Sequence, residues 1–170
     1  MREFKKKWNE LTEGWQGWVI YIGLGIVLAV ILNAGLSVAF STDLPVVTVK
    51  TESMVPTLNP GDIVFIRGQS DYQPGDIIVF DGWMNTPIIH RVVAKVVAND
   101  QVEVSVYDDF NQISKDELRQ IGENNKDTVK KFYVTKGDNN QVCDQCISGK
   151  SFVMPRDIHG ESAFTVPYLG

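Results

Sequence analysis

The sequence predicts a mainly β domain behind a single apolar helix. Three observations carry that expectation. Residues 15–40 contain no charged side chain. Behind them come short β-branched runs punctuated by Pro-Gly and Asn-Asp turns, the pattern of an all-β fold. A capping pattern in the polar stretch 108–130 accounts for one short helix. Short strands with tight turns and one small helix give a partly open barrel or packed sheets.

Length and charge bound the rest. The 170 residues suffice for one domain with a real core, and 44% hydrophobic with 22% charged content is that of a folded chain. A net charge of −5 argues against a nucleic-acid partner, which needs a basic footprint. The positive charge that exists is uneven: Arg2, Lys5, Lys6 and Lys7 crowd the start.

In chain order, residues 1–14 form a basic amino terminus and residues 15–40 a membrane anchor. About 20 apolar residues span a bilayer, and Trp15, Trp18 and Tyr21 cluster at the start as an interfacial belt. A cleaved signal peptide has a shorter apolar core, although Ala34-Gly35-Leu36-Ser37-Val38-Ala39 leaves a cleavable-looking tail. A retained anchor is the expectation. The positive-inside rule keeps Arg2 and Lys5–Lys7 in the cytoplasm and puts residues 41–170 outside it, at a cell membrane or, in a eukaryote, in the lumen of the endoplasmic reticulum.

Residues 44–50 read as a strand leading into Thr51-Glu52-Ser53-Met54. Pro60-Gly61-Asp62 and Pro74-Gly75-Asp76 are turns, each launching a strand, over 63–67 and 77–80. Residues 88–97, 101–107 and 131–135 are further strands, with a hairpin at Asn99-Asp100. Ser114-Lys115-Asp116-Glu117 is a capping box opening a helix over 115–121, in an insert (108–130) expected to be peripheral to any chemistry. A last strand falls at 163–168.

Chemistry-bearing residues are few. Ser53 in its turn is a nucleophile or an ordinary turn serine. His90 lies in an apolar strand, where a histidine is more often structural than a base. His159, after a loop-like Pro155-Arg156-Asp157, reads as a surface residue. Lys136-Gly137-Asp138-Asn139-Asn140 is good turn chemistry, and it also offers Asp138, or Asp144 beyond it, to orient a histidine.

These residues come in a telling order. Ser53-Met54, Pro56-Thr57-Leu58, Gly61-Asp62, Gly75-Asp76-Ile77, Ile89-His90-Arg91-Val92, Thr135-Lys136-Gly137-Asp138-Asn139-Asn140 and the closing Pro167-Tyr168-Leu169-Gly170 resemble type I signal peptidase in that family's sequence. A histidine stands where the bacterial-type enzymes have a lysine. The chain therefore resembles the Ser–His branch of archaea, the endoplasmic reticulum and some Gram-positive bacteria.

The resemblance implies a membrane-bound serine endopeptidase that removes signal peptides from exported preproteins, with small residues read by shallow apolar pockets. It implies Ser53 as nucleophile, His90 as general base, and Asp144 as the partner of His90 in preference to Asp138, which is also important in the family. It implies neither metal nor other cofactor. The expected partners are preproteins, the lipid bilayer and membrane partner subunits; a non-catalytic membrane-anchored β-domain subunit of a secretion or assembly complex is the rival reading. Thr51 stands where the family has a small hydroxyl residue; with the Ser53 N–H it forms an oxyanion hole, or else it is a plain strand residue.

Two departures stand out. Glu52 replaces a small residue and must point outward. Cys143-Asp144-Gln145-Cys146 is either a local disulfide clamping the Asp144 loop, half a zinc site, or two unpaired residues. Trp83 and Met84 either dip into lipid or pack on the barrel.

Overall fold

The computed structural model describes residues 14–168. The basic cluster Arg2, Lys5, Lys6 and Lys7 and the closing Leu169 and Gly170 lie outside the described residues. The chain divides into two units, Met1–Ala39 and Phe40–Gly170.

In the first unit, helix α1 (Trp15–Phe40) has 26 residues. At about 1.5 Å per residue it is longer than the ~30 Å hydrocarbon core of a bilayer. Its stretch Gly17–Phe40 is long and apolar enough to cross a membrane. Apolar side chains such as Leu24, Ile26, Val30 and Ile31 stand exposed all round it, so it has no polar face to turn to water.

The second unit is one seven-stranded antiparallel sheet. Its strands are β1 (Val46–Thr48), β2 (Ile63–Arg67), β3 (Ile77–Phe80), β4 (Ile88–Ala98), β5 (Val102–Val106), β6 (Lys131–Lys136) and β7 (Ile158–Val166). They follow the order β1-β2-β7-β3-β4, with β5 and β6 both on β4. β4 is the longest. Its first residues pair with β3 and its last with β5 along one edge, while β6 takes the opposite edge. The sheet curls, so that Val49, Met54, Leu58, Val64, Ile66 and Val79 from β1 to β3 form one core with Ile89 of β4 against it. A second core, with Val96, Leu118, Phe132 and Val134, lies under helix α2 (Lys115–Asn125). Burying each such side chain stabilises by about 1.5–3 kcal/mol.

The mainly β class with one apolar and one short helix is as the sequence predicts, and the strands form one curled sheet. Gly61 and Gly75 sit at φ 97° and 108°, the left-handed conformation that the two Pro-Gly turns need. Ser114 caps α2, its Oγ accepting from the Glu117 N–H at 3.1 Å.

Three elements differ from the prediction. β1 is confined to Val46–Thr48, because Val49 turns into the core and bonds to the Asp62 turn instead of continuing the ladder. α2 runs to Asn125, its added turn packing the buried Gly122 against Val96 and Val102 and closing with Asn125 Nδ2 donating to the Ile121 carbonyl at 2.8 Å. β7 starts at Ile158, not 163. Its first half, Ile158-His159-Gly160-Glu161-Ser162, is polar and carries no strand signal. It is a strand because β2 flanks it on one side and β3 on the other.

Candidate active site

Ser53 is seated by its neighbour. Residues Glu52–Met54 form a single turn of 3-10 helix after the extended Thr51. Met54 is fully buried in the β1–β3 core, which fixes the turn and leaves Ser53 at the surface. Glu52 is exposed, and its carbonyl accepts from Asn139 Nδ2 at 3.1 Å. The carboxylate next to the serine therefore points outward, as the sequence requires of it.

The Asn139 N–H donates to the Ser53 carbonyl at 2.8 Å. Gly137 allows this approach: a Cβ there would lie 2.6 Å from the Ser53 carbonyl oxygen. A glycine in the 136–140 turn is thus a steric condition for bringing that turn against the serine.

His90 comes from β4, opposite Ile78 of β3, and is 6% exposed. Its Nε2 lies 3.1 Å from Ser53 Oγ, and its Nδ1 lies 2.6 Å from Asp144 Oδ2. A carboxylate has no proton to give, so Nδ1–H donates and Nε2 is left to accept from the serine hydroxyl. Asp144 is 1% exposed, and the same Oδ2 also accepts from Thr135 Oγ1 at 2.8 Å. Thr51 Oγ1 is 3.2 Å from Ser53 Oγ.

Of the two aspartates in the 138–144 stretch, only Asp144 meets His90. Asp138 receives Arg91 in a two-pronged pair, Nε to Oδ1 at 2.8 Å and Nη2 to Oδ2 at 2.6 Å, and Thr57 Oγ1 donates to it as well. Arg91 Nη1 also reaches the Gly75 carbonyl at 2.7 Å. Burial pushes the Asp138 carboxyl up, but the Arg91 and Thr57 hydrogen bonds more than offset it and hold it below the usual carboxylate range. Asp138 thus ties β4, the Pro56-Thr57 loop and the Gly75 turn together.

Asp144 is held by a loop of its own. Cys143 is buried in the core under α2 and is disulfide-bonded to Cys146. Gln145 Oε1 accepts from the Thr135 N–H at 2.8 Å. Gln112 accepts from the Cys143 N–H and donates to the Gln141 carbonyl at 2.7 Å. Gln112 belongs to the 108–130 insert, which is therefore not peripheral: it braces the loop carrying Asp144. Nothing in the sequence marks Gln112 or Gln145, since a glutamine gives no signal until its partners are placed.

His159 is also corrected. It lies on β7 with its side chain 17% exposed, between two carboxylates. Nδ1 is 3.0 Å from Asp43 Oδ1 and Nε2 is 3.1 Å from Asp81 Oδ1, the latter off the line of the N–H and so chiefly a charge contact. Burial pushes the imidazolium down, but Asp43 and Asp81 outweigh it and raise its pKa above the ordinary histidine value.

Ser53, His90 and Asp144 open onto a groove of about 580 Å³. Leu44, Val47 and Thr48 line one side and Trp83, Met84 and Ile88 another. Trp83 and Met84 are 37% and 54% exposed on this rim. β1 is hydrogen-bonded to β2 on one edge only among the described residues.

Residues 16–160 match the family described as signal peptidase, peptidase S26. The chain belongs to that family. Membership makes it a peptide hydrolase of the signal peptidase class. It is similar to the signal peptidase complex catalytic subunit SEC11 of Colletotrichum graminicola, at 29% identity over 80% of this chain and 66% of that protein. It is also similar to the catalytic subunit SEC11C of Homo sapiens, at 26% identity over 97% of this chain and 73% of the relative. The SEC11 subunit of Paracoccidioides brasiliensis is 29% identical over 89% of this chain and 76% of the relative. The chain thus spans about two thirds to three quarters of the length of these relatives.

Proposed function

We propose that this signal peptidase removes amino-terminal signal peptides from exported preproteins through an acyl-enzyme on Ser53. What carries the reading is the continuous line Asp144–His90–Ser53, at 2.6 and 3.1 Å, opening onto an apolar groove.

His90 Nε2 takes the Ser53 proton as Oγ attacks the scissile carbonyl, and Asp144 stabilises the imidazolium that forms. The imidazolium then protonates the leaving amine. A water, deprotonated by the same Nε2, hydrolyses the ester and frees Ser53. Thr51 Oγ1 and the Ser53 N–H stabilise the oxyanion; one such donor contributes about 3 kcal/mol in the transition state. The edge of β1 that pairs with no strand among the described residues suits an extended peptide lying along the groove, with its backbone bonded to the strand and small side chains in apolar pockets. Asp138 serves by holding the Gly137 turn against Ser53.

Helix α1 anchors the protein in a membrane, with Arg2 and Lys5–Lys7 on the cytoplasmic side and the catalytic domain on the other. Substrate and active site then meet at the outer membrane–water interface. The relatives are named as subunits of a signal peptidase complex, which supports membrane partner subunits for this chain. They are named catalytic subunits, which disfavours a non-catalytic role.

The decisive experiment is cleavage of a preprotein in detergent by the purified full chain, with product mass as the readout. Wild type yields one mature product; Ser53→Ala and His90→Ala yield none above background. Equal product from all three refutes the mechanism.

A further inference from the structure

Lys150 is a cation for which the catalytic line gives no role. Its Nζ lies 3.8 Å from Asp144 Oδ1, the oxygen bonded to neither His90 nor Thr135. The same Nζ stands 3.9 Å from the centre of the Trp83 ring. The side chain is 20% exposed and lines the groove that contains Ser53 and His90. Its backbone N–H donates to the Ile147 carbonyl at 3.3 Å, at the end of the loop that begins with the disulfide.

We propose that Lys150 is a positioning residue that couples the Asp144 loop to the groove wall, holding Asp144 from behind while seating the Trp83 ring beside the substrate path. The proposal rests on the Ser53–His90–Asp144 reading above.

Two physical demands meet at this ammonium. Asp144 is a carboxylate at 1% exposure, and a buried charge needs compensation. Thr135 and His90 both bond Oδ2, which leaves Oδ1 facing Lys150. An ammonium there opposes a carboxyl rotation that would exchange the two oxygens and lose the 2.6 Å contact to His90. Trp83, 37% exposed, projects from the loop between β3 and β4. A cation over its face restrains the ring by the attraction of the π face for positive charge.

The carboxylate facing Lys150 is Asp144 on the 144–146 turn, with the His90 ring of β4 bonded to its other oxygen. Lys50 is the remaining charged side chain lining the groove, and it is exposed. Lys150 therefore sets two measurable quantities. Through Trp83 it sets the fit of the peptide, read as KM. Through Asp144 it sets how firmly the carboxylate holds the His90 Nδ1–H, read as kcat.

The test is preprotein cleavage by the full chain in detergent, comparing wild type with Lys150→Met, Lys150→Arg, Trp83→Leu and Ser53→Ala. Lys150→Met keeps the stem and loses the charge. It is expected to raise KM about 3- to 10-fold and to lower kcat about 3- to 5-fold. Lys150→Arg restores both, whereas Trp83→Leu reproduces the KM change and leaves kcat in place. An unchanged kcat and KM in Lys150→Met overturns the proposal. So does a loss that Lys150→Arg fails to restore, which is the behaviour of a merely structural residue. Ser53→Ala separates the two ideas: residual cleavage by that variant overturns the mechanism, while a dead Ser53→Ala beside an unchanged Lys150→Met overturns the role of Lys150 alone.

Discussion

The chain's two histidines each place Nδ1 against an aspartate, His90 against Asp144 at 2.6 Å and His159 against Asp43 at 3.0 Å. They differ in what faces Nε2. For His90 it is the hydroxyl of Ser53; for His159 it is a second carboxylate, Asp81. The first arrangement leaves a lone pair for a proton to enter. The second favours a doubly protonated ring that clamps the Asp43 segment and the Asp81 loop to β7. A histidine–aspartate pair by itself therefore says little about chemistry; the third group assigns base or clamp.

The sharpest way to break this comparison is to delete each imidazole. His90→Ala is expected to lower kcat by about 10⁴- to 10⁶-fold, as for members of a serine triad, whereas His159→Ala stays within about 3-fold at pH 7, since it touches no reacting atom. Preprotein cleavage rates measure both, and similar losses would erase the distinction between base and clamp.

The aspartates come next. Asp144→Asn is expected to cost about 10⁴-fold in kcat with little change in thermal midpoint, because it spoils the tautomer and not the packing. Asp138→Asn is expected to do the reverse in emphasis: breaking its half-buried Arg91 pair costs about 2 kcal/mol of stability. Tm in detergent, measured beside kcat, would show whether the two roles separate. A smaller effect belongs to Thr51→Val, which is expected to lower kcat by about 10²-fold at unchanged KM if its hydroxyl serves the oxyanion.

The smallest effect is a pH dependence at the clamp. The folded His159 pKa is raised. Its stabilisation is therefore fully present below the ordinary histidine value of about 6.5 and is lost as pH rises through the raised folded value. Asp43 and Asp81 are mostly exposed, so water screens them and the contribution is about 1 kcal/mol or less. The Tm gap between wild type and His159→Gln should be wider at pH 5.5 than at pH 8.5. A gap independent of pH would remove the imidazolium from the account.

The apolar helix and most strands were legible because their signals are local. An uncharged apolar run, β-branched segments and Pro-Gly turns need no partner to be read. β7 was half legible: residues 158–162 lack strand character and are extended only because two neighbours pair with them. Ser53, His90 and Asp144 were nameable from ordered motifs, but Gln112, Gln145 and Lys150 were not. Their roles consist wholly of contacts across long sequence separations or between loops.

By itself, then, the sequence determined the apolar helix, the β class, and the short set of groups able to do chemistry, because hydrophobic patterning and side-chain chemistry are written residue by residue. Only the tertiary structure decided which aspartate faces which partner and which histidine has a serine before it. Those assignments depend on how a curled sheet brings β4, the 52–54 turn and the disulfide loop within about 3 Å of one another, and no local property of the chain encodes a distance of that kind.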